Sequence, residues 1–223
     1  MEKIIEIYKS HSAIEYETAI DFMEKRVNEI HFAKKNELVW FLEHPHIYTA
    51  GTSAQDHELL LPGIIPVHKT GRGGKFTYHG PGQRIIYLML NLDRFNNDIR
   101  YFIETLEKII VQTFKSLGIC VFANRDRIGI WTKNIENDNH EKIGAIGLKV
   151  KKWISLHGIA VNINPDMQYF SGIIPCGLSD FRVTSLNQIN KEISMKDFDI
   201  EFIKCFEKHI SILTEADCLK LTE

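Results

Sequence analysis

The sequence contains no apolar run near the roughly 18 residues that a membrane-spanning helix needs, which argues against a helical membrane protein. It also lacks a dominant charge. Its 27 Lys and Arg stand against 29 Asp and Glu, a formal net charge of -2. That is too little for bulk attraction to nucleic acid or to an anionic membrane. Cysteine is sparse: Cys120, Cys176, Cys205 and Cys218 are scattered, with no Cys-x-x-Cys pair. The spacing excludes a disulfide framework and a zinc finger, and free thiols suit a reducing cytosol. The 10 histidines form no His-Glu-x-x-His or comparable ligand spacing, so no metal is expected. The opening Met1-Glu2-Lys3-Ile4-Ile5-Glu6 has acidic residues where a signal peptide needs a basic start and an apolar run. A cytoplasmic location is the expectation. There is no internal repeat and no low-complexity tract.

What is present is an ordinary globular composition, 44% apolar and 25% charged, in a chain long enough for one large domain or two small ones. Residues 13–34 carry a helical stripe of Ile20, Met23, Val27 and Ile30, and 37–43 and 84–90 read as buried strands. A helix starts at Asp98, a suitable N-cap, and repeats apolar residues at three and four from Ile99 to Leu117 before Gly118. Short strands are expected at 119–123 and 127–132. A last helix, with capping signals at Ser194 and Asp197, carries Phe202, Cys205, Phe206, Ile210 and Leu213. The mixture points to an α+β fold with a mixed, mainly antiparallel sheet packed with helices.

Residues 142–163 read as a β-hairpin around the polar break Lys151-Lys152. In the first arm Ile146, Leu148 and Val150 share a face and Ile143 is out of phase. In the second, Ile154 and Leu156 share a face and Ile159, Val161 and Ile163 do not. A strand has period two, so each arm is expected to slip by one residue, at Gly144 and at His157-Gly158. A turn at 151–152 would set the two slips opposite one another, which marks a site.

Three segments carry chemistry. Gly71 to Gln83 holds five glycines among Arg, Lys, Tyr and His. It reads as a loop that presses backbone N–H groups against a ligand and not as an ordinary strand. Its glycine spacing is not that of a Walker loop. Cys176, between Pro175 and Gly177, sits in a tight turn where a thiol is a candidate nucleophile, whereas the other three cysteines read as packing. Lys142 opens the hairpin, and an ammonium near a thiol favours the thiolate.

Together, four stretches resemble the lipoyl(octanoyl) transferase family, the octanoyl-[acyl-carrier-protein]:protein N-octanoyltransferases. They are Glu43-His44-Pro45…Tyr48-Thr49-Ala50-Gly51, the loop from Arg72 to Gln83, Lys142-Ile143…Gly147 with His157 to Asn162, and Pro175-Cys176-Gly177. The resemblance implies a single catalytic domain over residues 1–223, related to the catalytic domains of biotin and lipoate protein ligases. It implies Cys176 as the acyl-thioester nucleophile and Lys142 as its partner. It assigns substrate binding to Arg72, Gly73, Gly74, Lys75, Phe76, Thr77, Tyr78 and His79, to Ala145, Ile146 and Gly147, and to Gly158, Ile159 and Ala160. Ala145 departs from the serine common there, which puts a hydroxyl contact in doubt. The implied reaction moves octanoyl from the phosphopantetheine arm of acyl carrier protein to a lysine of lipoyl domains, with no bound cofactor. The implied acceptors are 2-oxoacid dehydrogenase E2 subunits and the glycine cleavage H protein. The rival readings are an ATP-dependent lipoate or biotin protein ligase on the same fold, and a non-catalytic carrier-binding regulator. The first needs no nucleophilic cysteine, and the second predicts loss of the Cys–Lys pair.

Overall fold

The computed structural model describes residues 4–124, 127–134, 137–175, 181–189, 192–213 and 219–222. A nine-stranded sheet organises them. Its strands are β1 (Ile5–Lys9), β2 (Glu37–Leu42), β6 (Gln83–Met89), β7 (Phe122–Ala123), β8 (Ile130–Lys133), β9 (His140–Lys151), β10 (Ile154–Asn162), β11 (Arg182–Val183) and β12 (Leu219–Thr222), in the order β12-β1-β2-β6-β10-β9-β8-β7 with β11 beside β9. The pairs β2–β6, β6–β10, β10–β9, β9–β8 and β8–β7 are antiparallel; β1 pairs parallel with β2 and β12, and β11 parallel with β9. A second, three-stranded sheet holds β3 (Ile47–Ala50) between β4 (Val67–Lys69) and β5 (Phe76–His79). The mixed, mainly antiparallel α+β architecture agrees with the sequence reading.

Helices cover both faces of the main sheet. On one, α1 (Tyr16–His31) packs Ala19, Met23 and Val27 on Leu38, Trp40, Leu42, Ile85 and Met89. On the other, α2 (Ile99–Ser116) and α3 (Met195–Leu213) pack Phe102, Phe114, Phe198, Phe202 and Phe206 on Val39, Phe41, Ile86 and Leu88. Each buried phenylalanine contributes about 1.5–3 kcal/mol by leaving water. No phenylalanine is fully buried on the α1 face. The heavier anchoring therefore lies under α2 and α3, and the α1 face has room for polar groups. Asp98 caps α2 by accepting from Arg100 N at 2.8 Å and Tyr101 N at 3.1 Å. Ser194 accepts from Asp197 N at 3.1 Å at the start of α3.

The hairpin of β9 and β10 departs from the sequence reading in two ways. Its turn is Lys152-Trp153, both at positive φ, so Lys151 pairs with Ile154 and Gly144 pairs with Val161. Gly144 and His157 are therefore not opposite one another. The slip in β9 is real: against β8, Trp131 pairs with Lys142 and Ile130 with Gly144, which leaves Ile143 as a bulge. The slip in β10 is not a register change. Leu156 faces the α1 core while Ile159 and Val161 face the α2/α3 core, because the strand is buried on both sides. His157 is nonetheless irregular, with φ of 59° and its N–H directed at Met23 Sδ.

The glycine-dense segment also contains an ordinary strand, contrary to expectation. Its glycines collect at 71, 73, 74, 80 and 82, and the stretch between them, Phe76–His79, pairs with β3.

Candidate active site

The small sheet holds the glycine loop against the edge of the hairpin. Past Gly144, no strand among the described residues pairs with β9 on the β8 side, and Gly73 N donates to Leu148 O there at 2.9 Å. The loop is pinned by Arg72, which is buried. Its Nη2 donates to Thr49 O (2.8 Å), Thr49 Oγ1 (2.7 Å) and Lys75 O (3.0 Å). Much of the guanidinium's donor capacity thus shapes the loop. Gly82 N donates to Glu43 Oε1 at 2.7 Å, which joins two of the segments singled out in the sequence. Buried Glu58 accepts from Lys75 Nζ, and Ile174 N donates to Glu58 O at 2.7 Å. The glycine loop is thereby tied to the segment leading to residue 176.

Between these elements lies a cavity of about 710 Å³, within the size range of small-molecule sites. Arg72, Gly73, Gly74, Lys75, Thr77, His79, Lys142, Ala145, Ile146, Gly147, Gly158, Ile159 and Ala160 all line it. Two of the sequence candidates do not. Strand alternation in β5 sends Phe76 and Tyr78 to the opposite face, into an apolar cluster with Tyr48, Ala50 and Ile173. Cys176 lies outside the described residues. The sequence reading missed Tyr16, Tyr87, Ile99 and Ile103, which also line the cavity. Tyr16 and Tyr87 stand out as hydroxyl-bearing side chains among apolar neighbours, and Ile99 is 41% exposed at the start of a stripe that otherwise packs.

Part of the cavity's surround is a histidine wall: His79 and His157 line the cavity, and His44 packs against His79. His44 Nδ1–H donates to Ile14 O (2.6 Å), so Nε2 accepts from the Tyr87 hydroxyl (2.7 Å). Gln83 Nε2 donates to Tyr78 O (3.2 Å) and Asn162 Oδ1 (2.9 Å), so its Oε1 accepts from His79 Nδ1–H (2.7 Å). The His157 ring stacks at 6.5 Å from Tyr16 and stands edge-on to Tyr87 at 5.8 Å. Burial disfavours the imidazolium in all three. It lowers His44 to about 4 and His157 to about 3, with Arg72 adding to the effect on His157, and it holds His79 well below the ordinary histidine value. Burial also pushes the Tyr87 hydroxyl up. At neutral pH this wall is polar but uncharged.

The cavity is also lined by Lys142, which is buried beside the Ile143 bulge. Its Nζ donates to Ile128 O at 3.0 Å and lies 5.4 Å from the centre of the Trp131 ring. Gly129 makes this possible. Its φ is 141°, and a Cβ there would stand 2.5 Å from Lys142 Cε. A small cavity of about 20 Å³ joins Lys142 to Pro175, the neighbour of Cys176 in sequence. The arrangement offers an apolar-walled space bordered by fixed neutral donors and acceptors and by the Lys142 side chain.

The profile of the lipoyl protein ligase A/B catalytic domain matches residues 15–207. Among curated relatives, an octanoyltransferase of Zymomonas mobilis is 48% identical over 195 residues, covering 87% of this chain and 89% of its own. An octanoyltransferase of Brucella suis is 44% identical over 200 residues, covering 86% of this chain and 75% of its own. Among solved structures, a bipartite lipoate protein ligase of Thermoplasma acidophilum superposes with a TM-score of 0.69 at 14% identity, over 100% of this chain and 86% of that one. The biotin protein ligase of Aquifex aeolicus gives 0.51 at 13% identity, over 96% and 72%. At these identities the two structures are similar in fold alone.

Proposed function

Because the chain belongs to the octanoyltransferases of the lipoyl protein ligase A/B catalytic-domain family, and is therefore an acyltransferase, we propose that it carries octanoyl from an acyl carrier protein thioester to a lipoyl-domain lysine through Cys176. The observation that carries this reading is the position of Lys142. It stands where the apolar-walled cavity meets the small space lined by Pro175, beside the proposed nucleophile in sequence.

The Cys176 thiolate attacks the thioester carbon, and a new carbon–sulfur bond forms as the one to the carrier breaks. The departing thiolate takes a proton from the Lys142 ammonium. Lys142, now a neutral amine, accepts the proton that the acceptor lysine loses as its nitrogen attacks the acyl-enzyme. Cys176 leaves as thiolate, and the starting charges are restored. A thioester becomes an amide, which is downhill, so the cycle needs no ATP. The Ile128 carbonyl and the Trp131 ring orient the ammonium between its two proton transfers. Burying about six methylenes of the acyl chain against Ile99, Ile103, Ile146, Leu148 and Ile159 contributes on the order of 5 kcal/mol. Lipoyl domains are the proposed acceptors, those of 2-oxoacid dehydrogenase E2 subunits and of the glycine cleavage H protein, in the cytoplasm.

The test is intact-mass measurement after incubation with octanoyl carrier protein, without ATP. The expected result is one octanoyl adduct on the wild-type chain and none on Cys176→Ala. Cys205→Ala, whose thiol is buried under α3 away from the cavity, retains the adduct. An adduct that forms on Cys176→Ala, or only with ATP, overturns the covalent mechanism.

A further inference from the structure

A second, larger space lies on the far side of Lys142. This groove, about 1000 Å³, runs over the β7–β8 end of the sheet and the segment around β11. No residue lines both it and the acyl-sized cavity. Among the described residues, the small cavity borders both. That junction shares Thr77, Lys142, Ala145 and Ala160 with the acyl-sized cavity, and Phe170, Pro175 and Val183 with the groove.

A thioester has two halves. If the acyl half occupies the cavity and the reacting carbon stands beside Lys142, the sulfur-bearing half has to leave the junction in another direction. The groove is the space that opens there. Its charged lining residues are Lys133, Arg182 and Glu141; Lys133 Nζ is paired with Asp138 Oδ1 at 2.8 Å and the Glu141 carboxylate is held by Asn134 Nδ2 at 2.9 Å, so Arg182 is the lining cation best placed to meet an anion. The remainder of the wall mixes apolar surface, such as Phe122 and Ile189, with amide and hydroxyl groups, such as Gln188 and Thr184. A linear chain of amides and methylenes ending in a phosphate matches that lining.

We propose that the groove between β7–β8 and β11 binds the phosphopantetheine arm of the thioester donor, with the thioester at Lys142 and the phosphate near Arg182. This rests on the acyl-transfer reading above and extends it from the acyl group to the leaving group. The arm is held apart from the acyl chain, so the freed thiol departs through the groove while the acyl group stays in its cavity. Binding energy from the arm then falls on the donor and not on the acyl-enzyme.

The experiment compares two donors of the same acyl group, S-octanoyl-4′-phosphopantetheine and S-octanoyl-N-acetylcysteamine, which lacks most of the arm. It uses the wild-type chain and Cys120→Trp. Cys120 is exposed in the groove wall, and a tryptophan there fills the groove without entering the acyl-sized cavity. The wild-type kcat/KM is expected to be at least tenfold higher for the long donor, and Cys120→Trp to bring the ratio close to one, mainly through KM for the long donor. The wild-type ratio needs no variant, so a misfolded Cys120→Trp does not remove the test. A wild-type enzyme that uses both donors equally well overturns the groove assignment and leaves the acyl-transfer reading standing. A wild-type enzyme that takes octanoyl from the carrier protein but from neither small donor overturns the groove assignment alone, and one that takes it from none of the three overturns both. A Cys120→Trp chain that keeps its thermal unfolding temperature and the full tenfold preference places the arm elsewhere.

Discussion

Around Tyr16 three histidines are buried and uncharged, and the hydrogen-bonding nitrogens of His44 and His79 are matched to fixed partners. Near Ile128 the Lys142 ammonium donates to the Ile128 carbonyl and shares the Trp131 ring with the Arg127 guanidinium, which stands 5.0 Å from its centre. Both places withdraw ionisable side chains from water, with different surroundings. The histidines lie in a ring-packed wall with the Arg72 cation nearby, and there neutrality costs less. Lys142 has an acceptor and the face of an indole, and both favour a positive charge. The histidine wall thus fixes the shape of the cavity, and Lys142 is the group proposed to carry its mobile proton.

The largest effect expected from breaking this contrast is at Lys142. Lys142→Met and Lys142→Arg should each lower the rate of transfer by about 10²–10⁴-fold, the range for loss of a positioned acid–base group. Arginine keeps the charge but does not give up its proton near neutral pH. Single-turnover transfer by Lys142→Arg at near wild-type rate would remove proton shuttling from the mechanism.

A smaller loss is expected from Gly129→Ala. The added methyl group meets Lys142 Cε at 2.5 Å in a backbone conformation unfavourable to side chains. Strain of about 1–3 kcal/mol should be relieved by moving Lys142, which lowers kcat roughly 10–100-fold with less change in KM. An unchanged kcat in a folded Gly129→Ala chain would show that the ammonium position is not critical.

The histidine wall should be felt in stability and not in rate. His44 has a folded-state value of about 4 against 6.5 in an unfolded chain. Above pH 6.5 neither state binds the proton. Below it the unfolded chain is protonated and the native chain is not, so stability falls as pH drops from 6.5 towards 4. For His44 alone the loss at pH 5 is on the order of 2 kcal/mol. His157 acts in the same direction, down to about pH 3. Urea unfolding at pH 7 and pH 5 should show the loss, and His44→Gln should lessen it. Equal pH dependence in the two chains would mean that the wall does not hold His44 neutral.

The elements were largely readable in the sequence because the helices and strands carry strong periodic signals, and α2 announces itself down to its Asp98 cap. The site was readable in part. Ile143 marked a true bulge because its neighbours Ile146, Leu148 and Val150 pack against the same core as Ile143 itself. The same argument failed in β10 because parity says which residues share a face, not whether the opposite face is also buried. Gly158, assigned to substrate binding by the resemblance, does line the cavity but has a second reason to be glycine. A Cβ there would lie 2.1 Å from Ile86 O, so the close approach of β6 requires that glycine whatever occupies the cavity. Tyr16 and Tyr87 went unnoticed because a tyrosine on a core-facing stripe looks the same whether it fills a core or borders a cavity.

The hairpin's two-residue turn bears on how the chain folds. Ala145, Ile146 and Gly147 pair with Ala160, Ile159 and Gly158 across a link of only Lys152 and Trp153, so these wall residues come together by closing a very short loop. The Tyr16 side, and the pairing of Ile159 with Ile86, require contacts between segments far apart in sequence. This part of the cavity should therefore form early and the histidine wall late. In chevron measurements, Ile146→Val should slow refolding in proportion to its cost in stability, whereas Tyr16→Phe should act mainly on unfolding. The reverse pattern would place the nucleus among the long-range contacts.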